Sequence, residues 1–346
     1  MAPSNAAPAD PTFFDSLPKA ELHLHIEGSL TPQRMLSLAE SNDVSLPYAD
    51  EAAILEAYNF DSLQSFLDLY YQGMSALLKE EDFYALTMDY LEVCRRENIV
   101  HTEIGFDPQG HTGRGVDLGV VIAGITGAMQ DAKRNWGQSS LLLMNFLRHL
   151  PPDSAMQTLE AARQYADVIS AVGLDSSEVG FPPEPFKEVF DQAVDIGWRR
   201  VAHAGEEGPP AYIWGAINSL HVDRIDHGIR AEEDEALIKH LIESQLPLTV
   251  CPLSNVRLCA VDHMSNHNLM RLLQAGVRVT VNSDDPSYFG GFLSQNYAAV
   301  AEHIGMTIDE ASQLARNSIT ASFLPEDEQQ PILQSIDDWR AQQSGG

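Results

Sequence analysis

Eight short segments of the chain are apolar or β-branched and are bounded by Gly, Pro, Asn or Asp: residues 20–26, 99–106, 140–146, 168–176, 200–204, 224–226, 248–251 and 277–282. Runs of this length and composition predict strands buried on both faces, as in a parallel sheet. The segment 224–226 is very short and is read as a strand from its neighbours. Between the segments, apolar residues recur at three- and four-residue steps, first Phe60, Leu63, Leu67, Tyr70, Met74 and Leu77, then Phe83, Leu86, Tyr90 and Val93. That is the period of amphipathic helices. Thr31-Pro32 reads as an N-cap with proline at the first helical position. Similar helical signals run over 182–194, 233–241 and the tail 328–346. Eight strand–helix units in one chain predict an α/β protein, a (β/α)8 TIM-type barrel with extra helices after the first strand. The stretch 43–98 is longer than one connection needs. It follows a strand, where barrel loops face the catalytic mouth, so it reads either as a lid or as an outer helical layer.

At 346 residues the chain fits one such barrel. Residues 1–12 read as a flexible polar leader and 13–346 as a single barrel domain. No apolar run approaches the ~20 residues of a membrane span. The formal net charge is −29, from 21 Lys+Arg against 50 Asp+Glu. A surface of that sign repels phosphate backbones and anionic lipid, which argues against nucleic-acid and membrane partners. The acidic residues are spread along the chain, as on a solvated surface or one adapted to high salt. Three cysteines without paired spacing argue against a disulfide scaffold and a thiolate-bound zinc, and the N-terminus lacks a signal-peptide pattern, so the expected location is cytoplasmic.

The candidate chemistry sits at strand ends. In Glu21-Leu22-His23-Leu24-His25, the two histidines are two apart on a strand and share one face, a good metal half-site. His203 ends the fifth segment and Glu206 follows three residues later. His227 ends the sixth segment. Asp284 and Asp285 end the eighth, where paired aspartates could equally mark a turn or helix cap. In a barrel these carboxyl ends converge on one mouth, so four histidines and two aspartates there predict a shared metal site. Three imidazoles and one carboxylate without thiolate suit Zn2+, with Fe2+, Co2+ or Mn2+ as alternatives. The fourth strand carries no Lys to bridge a second ion, so a single ion is expected. His101, His111, His149, His221, His240, His263, His267 and His303 receive no role, and Cys251-Pro252-Leu253-Ser254-Asn255 reads as a loop shaping the same mouth.

These motifs, in this order from Leu17-Pro18-Lys19-Ala20-Glu21-Leu22-His23-Leu24-His25 to Ser283-Asp284-Asp285-Pro286, resemble the adenosine/adenine deaminases of the amidohydrolase superfamily over nearly the whole chain. The resemblance implies that His23, His25, His203 and Asp284 bind zinc. It implies further that Glu206 protonates ring nitrogen N1, that His227 holds the attacking hydroxide, and that Asp285 contacts the purine at N7. Gly173-Leu174-Asp175-Ser176-Ser177-Glu178 resembles the branch acting on free adenine. On this reading Ser177 and Glu178 fill the space of a ribose, and Glu178 accepts N9–H or N3–H of the base. The alternative for Glu178 is an ordinary helix-start carboxylate. The implied reaction is hydrolytic deamination of adenine to hypoxanthine in purine salvage. Adenosine or another 6-amino or N6-substituted purine is the alternative substrate, and a different barrel hydrolase or a catalytically dead binding protein is the more distant reading.

Overall fold

The computed structural model describes residues 5–60 and 62–344. Eight strands form one parallel sheet in sequence order: β1 Lys19–His25, β2 Ile99–Phe106, β3 Ser139–Leu147, β4 Ile169–Asp175, β5 Arg199–Ala204, β6 Arg224–His227, β7 Leu248–Val250 and β8 Val279–Val281. All eight expected segments are strands. The short sixth one extends to His227, and the eighth is trimmed at both ends. Each β-strand is followed by helix, as burial of a parallel sheet on both faces requires.

The sheet closes without a regular ladder between β8 and β1. Residues just beyond β8 do the closing. The Asn282 side chain accepts from Leu22 N–H at 2.9 Å. Asp284 N–H donates to the His23 carbonyl at 3.1 Å, and His25 N–H donates to the Asp284 carbonyl at 3.0 Å. Lower in the barrel, the fully buried Arg224 pairs with Glu103 across the interior at 2.8 Å and donates to the Leu22 carbonyl at 3.0 Å. The buried charge is thereby satisfied, as low-dielectric burial demands.

Thr31 caps its helix as expected, accepting from Arg34 N–H at 3.2 Å with Pro32 following. The stretch after β1 holds the helices Pro32–Ser41, Glu51–Ala57, Leu63–Met74 and Glu80–Arg96. The third of these turns Leu63, Phe66, Leu67, Tyr70 and Tyr71 towards the barrel mouth, so it is a wall of the central cavity rather than an outer layer. The flexible-leader expectation fails from residue 5 onwards. Ala7 N–H donates to the Met306 carbonyl at 2.7 Å, Ile308 N–H donates to the Asn5 carbonyl at 2.9 Å, and Pro11–Phe14 is helical with Phe14 fully buried. Backbone pairing and one aromatic anchor hold this segment where its polar composition suggested none. Residues 1–4 lie outside the described residues.

Candidate active site

The carboxyl ends of the strands bring His23, His25, His203 and Asp284 together, with ligand atoms all within 4.8 Å of one another and every residue buried. The spacing is informative. His23 Nε2 and His203 Nε2 are 3.0 Å apart, and His25 Nε2 and His203 Nε2 are 3.3 Å apart. Asp284 Oδ1 lies 3.3 Å from His23 Nε2 and 3.5 Å from His25 Nε2. Adjacent ligands of a tetrahedral ion at ~2.0–2.1 Å sit about 3.3 Å apart. The donor set therefore fits a first-row divalent ion in both chemistry and size.

The far ring nitrogens carry the same message. His203 Nδ1 lies 3.2 Å from the Leu174 carbonyl, and His23 Nδ1 lies 3.3 Å from the Thr249 carbonyl and 3.1 Å from its hydroxyl. His25 Nδ1 faces Asp175 at 3.5 Å and Asp107 at 3.8 Å. Acceptors at Nδ1 fix the tautomer whose Nε2 lone pair is free for a metal. Asp226 lies 3.7 Å from His203 Nδ1 and 3.9 Å from His23 Nδ1, itself held by the Thr249 hydroxyl at 2.7 Å.

Electrostatics sort the remaining groups. Burial, reinforced by His23, pushes His203 down to about 3, which keeps it a neutral ligand. Burial works against charge on Asp284, yet His23 and His227 outweigh it and hold the carboxyl well below its usual range. Glu206 is moved the other way. Burial first, then the carboxylates of Asp284, Glu178 and Glu207, raise it well above its ordinary value, so it keeps its proton. Burial and the neighbouring Asp284 do the same to Asp285. A turn or cap does not explain the Asp pair. Asp285 occupies the N-cap position of the short helix Pro286–Phe289 but its side chain caps nothing. A Cβ on Gly28 would collide with Asp285 Oδ1 at 2.0 Å, so a glycine is needed there for the carboxyl to reach its place.

His227 lies 3.5 Å from Glu206 Oε2 and 3.8 Å from Asp284 Oδ2 through its Nε2. Its other nitrogen is tied to a chain of three hydrogen bonds. Leu269 N–H donates to His267 Nδ1 at 3.1 Å, which makes His267 Nε2 a donor, and this meets Asn255 Oδ1 at 3.2 Å. The Asn255 amide nitrogen then donates to His227 Nδ1 at 3.2 Å. A His227 that accepts at Nδ1 carries its proton on Nε2, pointing into the cavity. The sequence assigns His267 no role and Asn255 only a place in the loop shaping the mouth; their spacing from His227 in the fold joins them in this chain. Ser254 likewise donates to Asp284 Oδ2 at 2.6 Å.

Ser177 and Glu178 are placed elsewhere than expected. Glu178 is buried, but its carboxylate accepts from the N–H groups of Gly205, Glu206, Glu207 and Gly208 at 2.6–3.0 Å. With four donors already bound it organises the loop that carries Glu206 and is not a helix-start carboxylate. Ser177 donates to Gln64 at 3.1 Å. Neither is among the residues around the cavity, which is lined on its polar side by His25, Asp107, Asp175, Glu206, His227 and Asp285.

Removing the Ser254 hydroxyl frees one oxygen of Asp284. S254A is expected to weaken metal affinity roughly 10–100-fold, measured by competition with a chelator. An unchanged affinity would show that this contact does not orient the ligand.

Comparison with known proteins places the fold among deaminases. Residues 18–339 match the family model described as adenosine deaminase. A curated adenine deaminase of Hahella chejuensis is 56% identical over 327 residues, 94% of this chain and 98% of that protein. The crystal structure of an adenine deaminase from Arthrobacter aurescens superposes with a TM-score of 0.92 at 46% identity, over 93% of this chain and 99% of that one. An amidohydrolase from Burkholderia ambifaria, solved with bound Zn, superposes with a TM-score of 0.88 at 26% identity, over 100% of this chain and 98% of that one. The chain belongs to the adenosine deaminase family.

Proposed function

We propose that this protein hydrolyses adenine to hypoxanthine and ammonia, as a cytoplasmic enzyme of purine salvage. The carrying observation is the convergence of a four-ligand metal cluster and two buried, proton-holding carboxyls on one small cavity. The adenine deaminase relatives supply the substrate class.

His23, His25, His203 and Asp284 hold the ion, proposed to be zinc as in the Burkholderia structure. When bound, zinc supplies hydroxide at neutral pH by lowering the pKa of coordinated water to about 7. Glu206 delivers its proton to N1 as hydroxide adds to C6, so the negative charge that addition would place on the ring is neutralised. Asp285, protonated, donates to N7 and draws electron density from the same carbon. His227, with its Nε2–H directed into the cavity, holds the attacking oxygen in line. The proton of the new C6 hydroxyl then passes to the amino group, the C6–N bond breaks with loss of ammonia, and the 6-oxo purine remains.

The direct test is ammonia and hypoxanthine formation from adenine by metal-replete protein; a fully loaded enzyme inert towards adenine would end this reading. E206Q is expected to keep its metal and lose about 10²–10⁴-fold in kcat/KM. Because Glu206 acts in its protonated form, kcat/KM should fall as pH rises through its elevated pKa, with the loss on the alkaline side. N255D presents an acceptor to His227 Nδ1 and so favours the opposite tautomer. It is expected to lower kcat well beyond any change in metal content, whereas wild-type kcat in this variant would remove the three-bond chain from the mechanism.

A further inference from the structure

The cavity contains more carboxylate oxygens than the proposed chemistry uses. Four buried oxygens on its lining have no hydrogen-bond partner among the described residues: Glu206 Oε1, Asp285 Oδ1, Asp107 Oδ1 and Asp175 Oδ1. An unpaired buried carboxyl oxygen is costly, so each such atom is evidence for a hydrogen-bond partner that arrives with a ligand. The first two belong to the carboxyls that donate to N1 and N7 of the proposed substrate. The last two are left over.

Asp107 follows β2 directly and occupies the N-cap position of the helix Pro108–Thr112, a place where aspartate normally caps. Its side chain makes no capping bond and turns to the cavity instead. Tyr70 O–H donates to its Oδ2 at 3.1 Å, and its Oδ1, 3.8 Å from His25 Nδ1, makes no hydrogen bond. Asp175 ends β4, and its nearest oxygen to His25 Nδ1 is Oδ2, at 3.5 Å, again leaving Oδ1 free. Oxygens of the two residues and His25 Nδ1 lie within 4.8 Å of one another. The pair thus sits across the His25 imidazole from the metal cluster. A purine that meets Glu206 at N1 and Asp285 at N7 keeps C6 and N7 beside the cluster and turns N9 away from it, and the donor there in a free base is N9–H.

We propose that Asp107 and Asp175 accept N9–H of the free base and so select it over any purine substituted at N9. This rests on the reading of the site as an adenine deaminase and assigns to this pair the discrimination expected of Glu178, whose oxygens are already bound by four backbone N–H groups. A nucleoside brings no N9–H to the pair and sets a sugar against it, and sites built around a substrate N–H reject analogues lacking it strongly.

The test compares adenine with 9-methyladenine, which keeps N1, C6, N7 and the amino group and loses only this donor. Wild type is expected to favour adenine in kcat/KM by at least ~10³-fold. D107A also removes an acceptor facing His25, a loss common to both substrates, and should lower kcat/KM for adenine about 10²-fold further than for 9-methyladenine, so that the ratio collapses. D107N retains an acceptor oxygen and should keep most of the preference, which separates loss of the acceptor from loss of fold. Metal per chain is measured in all three proteins. Equal use of adenine and 9-methyladenine by wild type, or an unchanged ratio in D107A, overturns the selection role while leaving adenine deamination standing. Loss of a second metal equivalent in D107A would assign the pair to an ion and overturn it as well. Wild type inert on adenine would remove the underlying reading, and this inference with it.

Discussion

The seam between β8 and β1 is the constraint on which the site depends. Asp284 is bonded through its backbone to both His23 and His25, at 3.1 and 3.0 Å, and its side chain reaches the same two residues at their ring nitrogens. The contact that shuts the barrel is therefore also the contact that sets three donor side chains around one point. A barrel that failed to close would lose this cluster, and a distortion at the cluster would strain the closure.

That seam is held under local strain. Asp284 has φ +65°, His227 has φ +63° and Ser176 has φ +74°, in the left-handed region that non-glycine residues rarely enter. All three line the same cavity. Such conformations cost on the order of 1–3 kcal/mol each and persist where the surroundings over-determine them. Here the surroundings do so by hydrogen bonding. Asp284 is fixed by β1 and Ser254, His227 by Asn255, and the Ser176 hydroxyl lies 2.7 Å from His149 Nδ1 and 3.3 Å from the Tyr71 hydroxyl. The strained backbone aims side chains into the cavity that relaxed strand geometry would send elsewhere.

The second organising fact is an excess of acid in a small buried volume. Asp107, Asp175, Glu206, Asp284 and Asp285 all line one cavity, where carboxylates cannot all ionise at ordinary cost. The structure resolves the conflict by division. Asp284 is kept charged by the imidazoles beside it, which suits a metal ligand. Glu206 and Asp285 are kept protonated, which suits donors to ring nitrogens. A divalent cation at the cluster and N–H or basic nitrogen atoms on a heterocycle complete the balance.

Much of this was legible in the chain because a parallel strand has a period of two and a barrel has only one catalytic end. Alternation placed His23 and His25 on one face, and the apolar runs placed His203, His227 and Asp284 at strand termini, so the fold class and the meeting of these side chains at one mouth followed from local pattern. The docking of residues 5–14 was not legible, because its cause is pairing with Met306 and Ile308, nearly three hundred residues away. The fate of Glu178 was not legible either: whether a carboxylate meets a substrate or four backbone N–H groups depends on the path of the 205–208 loop, which no local preference sets. The same holds for the His267–Asn255–His227 chain and for Asp107, a residue at a helix start that does not cap its helix. Local sequence decides which way a side chain faces along its own element. Only the packed barrel decides what it meets there, because hydrogen-bond partners are chosen by distance in space.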